Sequence, residues 1–93
     1  MESQYLMHHK DGSPVTRKDL DKINREIIEE FPGSVESSNY GEKIITIKHK
    51  IGDDLVSINY KEERTDVDIL SDNLPRTKFN LEGKLPVTLK RLK

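Results

Sequence analysis

The spacing of apolar residues changes near Pro32, and no other feature of the sequence constrains the fold as strongly. Upstream of Pro32, apolar side chains recur at intervals of three and four residues, which is typical of one face of an α-helix. Downstream, they alternate with polar side chains between short turns, which is typical of antiparallel strands with one buried face. The sequence therefore predicts an amphipathic helix followed by an antiparallel sheet.

The predicted helix covers about residues 16–31. Thr16 can cap the free N–H groups of the first turn, and Asp19 lies three residues on, in an Asp variant of the capping box. Pro32 and Gly33 end the helix, because proline cannot continue its hydrogen-bonding pattern and glycine favours a turn. The expected buried face consists of Leu20, Ile23, Ile27, Ile28 and Phe31.

Two strands, at about residues 42–51 and 54–61, flank the pair Gly52 and Asp53. If this pair forms a two-residue turn, the register of the hairpin is fixed along both strands. The apolar face then pairs Ile45 with Tyr60, Ile47 with Ile58 and His49 with Val56, and the polar face pairs Thr46 with Asn59, Lys48 with Ser57 and Lys50 with Leu55.

Three further strands are predicted at about residues 4–9, 35–40 and 66–71. In the last of these, Val67 and Ile69 continue the apolar face. The expected fold is an α+β single two-layer domain spanning residues 1–93. In it, one N-terminal amphipathic helix packs on an antiparallel β-meander of about four to six strands.

The segment 75–93 fits more than one structure. Alternation of apolar and polar residues favours a basic closing hairpin around Gly83, and Val87 and Thr88 favour a strand. The spacing of three leucines, with Pro86 in a first turn, also fits a helix. A segment that becomes ordered only on meeting a partner is the third interpretation.

The net charge of −1 is the sum of two segments of opposite charge. Residues 1–74 carry 10 basic and 16 acidic side chains, and residues 75–93 carry six basic and one acidic, so the two segments have net charges of −6 and +5. Such asymmetry points to an acidic partner or a polyanion, or to a basic segment that docks on its own acidic body. The candidate partner-binding residues are Arg76, Lys78, Lys84, Lys90, Arg91 and Lys93.

Four other charged residues are secondary candidates. Glu29 and Glu30 end the predicted helix, where negative charge opposes the helix dipole, so a basic partner could favour them. Lys48 and Lys50 point outward on the predicted polar face of the hairpin.

The sequence offers little for catalysis. The absence of cysteine excludes disulfides, thiol catalysis and cysteine-based metal sites. His8 and His9 are adjacent, so in a strand they point to opposite faces and cannot hold one metal ion together. His49 falls on the apolar face and is interpreted as a core histidine, and the glycines do not form a phosphate-binding loop. We therefore expect no enzyme, no catalytic residue, no metal and no cofactor.

The expected function is that of a small non-enzymatic protein-binding module, with inhibitors, immunity proteins and adaptors of phages or mobile elements as the classes to consider. The alternative is nucleic-acid binding through residues 75–93. A homodimer through an edge strand stays open. No apolar run approaches the roughly 20 residues that cross a bilayer, so the expected location is cytoplasmic, without a membrane partner.

Overall fold

The computed structural model describes residues 1–92 of the chain. Within this range the chain forms six strands and two helices in an α+β arrangement, with four consecutive strands between the helices. In chain order they are β1 (Glu2–His9), α1 (Arg17–Glu30), β2 (Val35–Tyr40), β3 (Ile44–Ile51), β4 (Asp54–Lys61), β5 (Arg64–Leu70), α2 (Leu74–Lys84) and β6 (Val87–Arg91).

The six strands form one sheet in the order β2-β3-β4-β5-β1-β6, and every neighbouring pair is antiparallel. The predicted α+β class and antiparallel sheet are confirmed, but two details of the prediction are wrong. The fold has two helices instead of one N-terminal helix, with β1 preceding α1 where a strand at 4–9 was predicted, and only β2 to β5 form a meander. β1 inserts between β5 and β6, so the first and last strands lie together at one side.

Helix α1 begins with the predicted capping box. The Thr16 N–H donates to the Asp19 carboxylate (2.9 Å), and the same carboxylate contacts His9 Nε2 (2.9 Å). The bonds from Thr16 and then from His9 lower the pKa of Asp19 to about 2. Because His9 belongs to β1, this cluster also ties the start of the helix to the sheet. One residue of the predicted apolar face, Ile28, is exposed, because it lies beside the buried stripe on the helix surface and not within it. The buried stripe consists of Leu20, Ile23 and Ile27.

The β3–β4 hairpin has the predicted register. Ile47 lies opposite Ile58 and His49 opposite Val56, with Gly52 at a positive φ of 61° in the turn. The inward side chains of β3 and β4 are buried together with those of β1, β5, β6 and both helices in one apolar cluster. Both helices therefore cover the same face of the sheet.

The predicted closing hairpin around Gly83 is wrong, because Gly83 lies in the last turn of α2. The Asn73 side chain caps this helix by accepting from the Arg76 N–H (3.2 Å), and Pro75 occupies its first turn, where it has no N–H to satisfy. Thr77 and Leu81 form its buried stripe. The preference of the following residues for a strand is confirmed by β6.

Within residues 1–92, neither helix is long and apolar enough to cross a membrane.

Candidate protein-interaction surface

The outward side chains of the sheet form a surface, here called the open face, that the two helices leave uncovered. Its centre is polar and half-buried, with Ser57, Asn59 and Asp68 on neighbouring strands. Asn59 Nδ2 donates to the Asp68 carboxylate (3.1 Å). Burial raises the pKa of Asp68, and the negative charges of Glu2 and Asp66 add to this effect. Four aliphatic side chains remain exposed on the open face: Val35, Ile44, Leu55 and Leu70.

The open face carries charges of both signs, and on β5 Arg64 pairs with Asp66 (2.7 Å). Lys48, Lys50 and Lys61 lie on β3 and β4, whereas Glu2 and Asp66 lie on β1 and β5. The predicted outward orientation of Lys48 and Lys50 is therefore seen, and both are exposed. The other two secondary candidates, Glu29 and Glu30, are exposed at the end of α1.

The free edge of β6 is covered by a side chain of α2. Leu92 donates its N–H to the Gln4 carbonyl of β1 (3.0 Å), so by antiparallel alternation the Leu89 N–H points away from β1. This N–H donates to the Glu82 carboxylate (2.9 Å), which also accepts from Lys78 Nζ (2.8 Å). Burial would raise the pKa of Glu82, but these two hydrogen bonds outweigh it and lower the pKa.

The free edge of β2, here called the β2 edge, has no such cover from residues 1–92. All six residues of Val35–Tyr40 are exposed, and none is proline, lysine or arginine, the residues that commonly guard sheet edges. Gly41 donates its N–H to the Ile44 carbonyl of β3 (3.0 Å). By the same alternation, the backbone N–H and C=O groups of Glu36, Ser38 and Tyr40 point away from β3.

The inward side chains of the β2 edge are held by helix α1. Glu36 accepts from Asn24 Nδ2 (3.0 Å), and the Tyr40 hydroxyl donates to Asp21 (3.1 Å). The single charge of this strand is therefore engaged with the helix and does not guard the backbone. Helix α1 thus holds the strand through two side chains, while within residues 1–92 the outward backbone groups of the strand have no hydrogen-bond partner.

A buried histidine lies beneath this arrangement. His49 is fully buried on β3, and its Nε2 lies 2.6 Å from Asn24 Oδ1. Because that oxygen only accepts, Nε2 carries the proton and donates it. Within the described residues Nδ1 has no partner, and burial lowers the pKa of His49, with Glu36 opposing the shift. His49, Asn24 and Glu36 thus link β3, α1 and β2 in one chain of neutral and acidic groups.

The other two histidines of the chain lie on β1, at positions 8 and 9. Within residues 1–92 there is no cluster of three or more histidine, aspartate or glutamate side chains that could hold a metal ion. His9 is occupied by its contact with Asp19 at the start of α1, and His8 lies on the opposite side of β1.

The predicted basic residues of the C-terminal segment do not converge. Lys78 pairs with Glu82, and Lys84 lies 5.0 Å from the centre of the Phe31 ring and donates to the Glu30 carbonyl (3.3 Å). Part of the basic segment therefore docks on the molecule's own first helix. The remaining candidates are distributed between α2, which carries Arg76, and β6, which carries Lys90 and Arg91, while Lys93 lies outside the described residues.

The sequence predicted the strand 35–40 but not its place at the rim of the sheet. The available signal was its composition, Val35 to Tyr40 with no basic residue and no proline, beside a second edge preceded by Pro86. Comparison with known proteins adds no name to this surface: no family model, no curated protein and no solved structure matches the chain significantly.

Proposed function

We propose that this chain is a small non-enzymatic protein-binding module that accepts an extended segment of a partner protein at the β2 edge. The observation that carries the proposal is the contrast between this edge, whose six residues are all exposed, and the β6 edge, which Glu82 covers. Sheet edges with free backbone groups are common docking sites for extended peptides.

The backbone would supply most of the affinity. An added strand would hydrogen bond to the outward N–H and C=O groups of Glu36, Ser38 and Tyr40. Its side chains would then alternate between the helix side, beside Tyr40, and the open face, beside Val35 and Asn39. Val35 is 65% exposed, so an aliphatic side chain of the partner would gain contact there.

The proposed class is that of inhibitors, immunity proteins or adaptors of phages or mobile elements, acting in the cytoplasm by occupying a site on another protein. The small size of the chain and the exposed backbone groups of β2 suit such a role. Nucleic-acid binding is the less favoured alternative, since Lys78 and Lys84 are engaged within the molecule.

The test is affinity capture with three baits from a nuclease-treated native lysate. Ser38→Pro removes an outward N–H without removing a bond to β3, whereas Ser38→Ala keeps the backbone unchanged and serves as the matched control. We expect wild type and Ser38→Ala to capture the same stoichiometric protein and Ser38→Pro to lose it. Equal capture by all three baits would exclude the β2 edge, and capture that depends on nucleic acid would favour the alternative function.

A further inference from the structure

We infer that the β2 edge also pairs with the β2 edge of a second copy of this chain, giving a two-fold dimer whose sheet continues across twelve strands. This inference rests on the proposed function, because it takes the same edge as a docking site. It goes further because it names the occupant of the edge and the register of the pairing. It also implies that a second copy and another partner protein compete for the same edge.

The register follows from the outward backbone groups. A two-fold axis at Ser38 places Ser38 opposite Ser38 of the second copy, and Glu36 opposite Tyr40 of the second copy. These are the three residues whose N–H and C=O groups point away from β3, so each pairs with another such residue. The whole length of the strand is used, from Val35 to Gly41.

Charge favours this register over a shifted one. With the axis at Ser38, each Glu36 faces a Tyr40 and no like charges lie opposite each other. Moving the axis to Glu36 would place two carboxylates side by side, which is unfavourable on neighbouring strands. It would also leave Tyr40 beyond the end of the paired region.

The open face gains apolar contact at both ends of the pairing. Val35 of one copy lies opposite Gly41 of the other, and Ile44 lies next to Gly41 on β3. Val35 is 65% exposed and Ile44 47% exposed, and the glycine between them has no side chain to keep them apart. Two-fold symmetry repeats this contact, so four exposed aliphatic side chains become covered.

Gly41 is required by the fold of a single copy as well. A Cβ atom at this position would lie 2.8 Å from the Ile44 carbonyl oxygen, so another residue would force the turn to shift. The β2–β3 turn therefore requires a glycine at position 41. The same glycine leaves room in the dimer for Val35 of one copy to approach Ile44 of the other.

The dimer is expected to be weak. A stable interface typically buries about 1,600 Å², and one strand edge with two aliphatic pairs is smaller than that. We expect a dissociation constant of about 10–100 μM, so the copies separate on dilution and a partner with more contacts displaces one of them.

Sedimentation of the purified full chain from low to high micromolar concentration tests the dimer. We expect a reversible monomer–dimer equilibrium for wild type and for Ser38→Ala, and at least about a tenfold weaker association for Ser38→Pro. Thermal unfolding checks that each variant is folded. If Ser38→Pro is unfolded, Ser38→Lys replaces it, because a lysine guards the edge without changing the backbone.

A single cysteine tests the register, because the chain has none of its own. Ser38→Cys is expected to form a disulfide-linked dimer under mild oxidation, since directly opposed strand residues have Cα atoms at a distance that a disulfide can bridge. Thr88→Cys, exposed on β6, is the matched control and is expected to form no disulfide-linked dimer under the same conditions.

The outcomes separate this inference from the proposed function. A wild-type chain that stays monomeric at every concentration, or a dimer that Ser38→Pro or Ser38→Lys leaves intact, overturns the inference. Ser38-dependent capture of another protein would then still support the proposed function. A Ser38-dependent dimer with no captured partner would support the inference and contradict the proposed function.

Discussion

The two edge strands of this sheet, β2 and β6, have the same kinds of backbone groups, but the neighbouring helix contacts those groups only at β6. At β6, a carboxylate from the neighbouring helix accepts the outward Leu89 N–H, whereas at β2 the neighbouring helix binds only side chains, through Asn24 and Asp21. A helix that lies near an edge strand therefore does not by itself cover the strand's outward backbone groups. Those groups are covered only when a side chain of the helix forms a hydrogen bond with them, as Glu82 does at Leu89.

Truncating the buried side chain that packs α2 against the core should cause the largest loss of stability. Leu81 is buried in the core, and Leu81→Ala is expected to lower the free energy of unfolding by about 3 kcal/mol, because it leaves a cavity beneath the helix that carries Glu82. Phe79→Ala is the matched control on the same helix, since Phe79 is 75% exposed and its truncation should change the stability by less than about 0.5 kcal/mol. Urea denaturation measures both, and equal losses would contradict the packing of α2.

Removing the cap of β6 should have an intermediate effect. Glu82→Ala is expected to lower the free energy of unfolding by about 2 kcal/mol at pH 7, since the Leu89 N–H and Lys78 lose a charged partner. Because the folded pKa of Glu82 lies below its ordinary value, this stabilisation is present above that value and is lost as the pH falls through the folded pKa.

Denaturant titrations of wild type and Glu82→Ala at pH 7 and in acid measure this effect. The difference between the two proteins should shrink in acid, and a difference that stays constant with pH would show that the carboxylate charge plays no part. Glu63→Ala, at an exposed turn, is the control substitution.

Protonation of His49 should weaken the side of the sheet that carries β2. Its folded pKa lies below the ordinary value of 6.5, so the unfolded chain binds a proton first and the folded state loses stability as the pH falls below about 6.5. The slope cannot exceed about 1.4 kcal/mol per pH unit for one proton, so His49 should lower the stability by less than that amount between pH 6.5 and 5.5.

The variant His49→Leu separates this cause from other titrations, since it should show a flatter stability profile between pH 6.5 and 5.5. His8→Ala is the control, because His8 lies on the opposite side of the sheet from the core. If His49→Leu keeps the wild-type slope over that range, another group is responsible.

Reversing charge at β6 should have the smallest effect. Lys90 and Arg91 are exposed, so Lys90→Glu combined with Arg91→Glu is expected to change the free energy of unfolding by less than about 0.5 kcal/mol. Lys84→Glu is the comparison, since Lys84 contacts Glu30 and Phe31. Gel-shift assays at low salt on the same variants would reveal nucleic-acid binding if wild type is retained and the double variant is not.

The sequence predicted those parts of the fold that local chemistry determines. The capping box of Thr16 and Asp19 marked the start of α1, and the two-residue turn at Gly52 set the β3–β4 register. Helix α2 was missed because its buried stripe is only Thr77 and Leu81, too short to outweigh the alternating residues around it.

The candidate site could not be predicted in the same way. Whether a strand is an edge depends on the order of the whole sheet, and here β1 and β6 meet through pairings between opposite ends of the chain. No local spacing contains that information. The sequence therefore predicted β2 as a strand but not its place at the edge of the sheet. It also grouped the basic residues of the C-terminal segment, whose described members lie on α2 and β6.

The hydrogen bond from Leu89 to Glu82 also limits how large an assembly can become. A sheet with two free edges can add copies at both sides and grow into a fibre, whereas a sheet with one free edge is complete after a single addition. In two copies joined at β2, both outer strands are β6, and at each of them Glu82 already occupies the Leu89 N–H that an added strand would need. The cap at β6 thus opposes further addition of copies as well as contributing to stability.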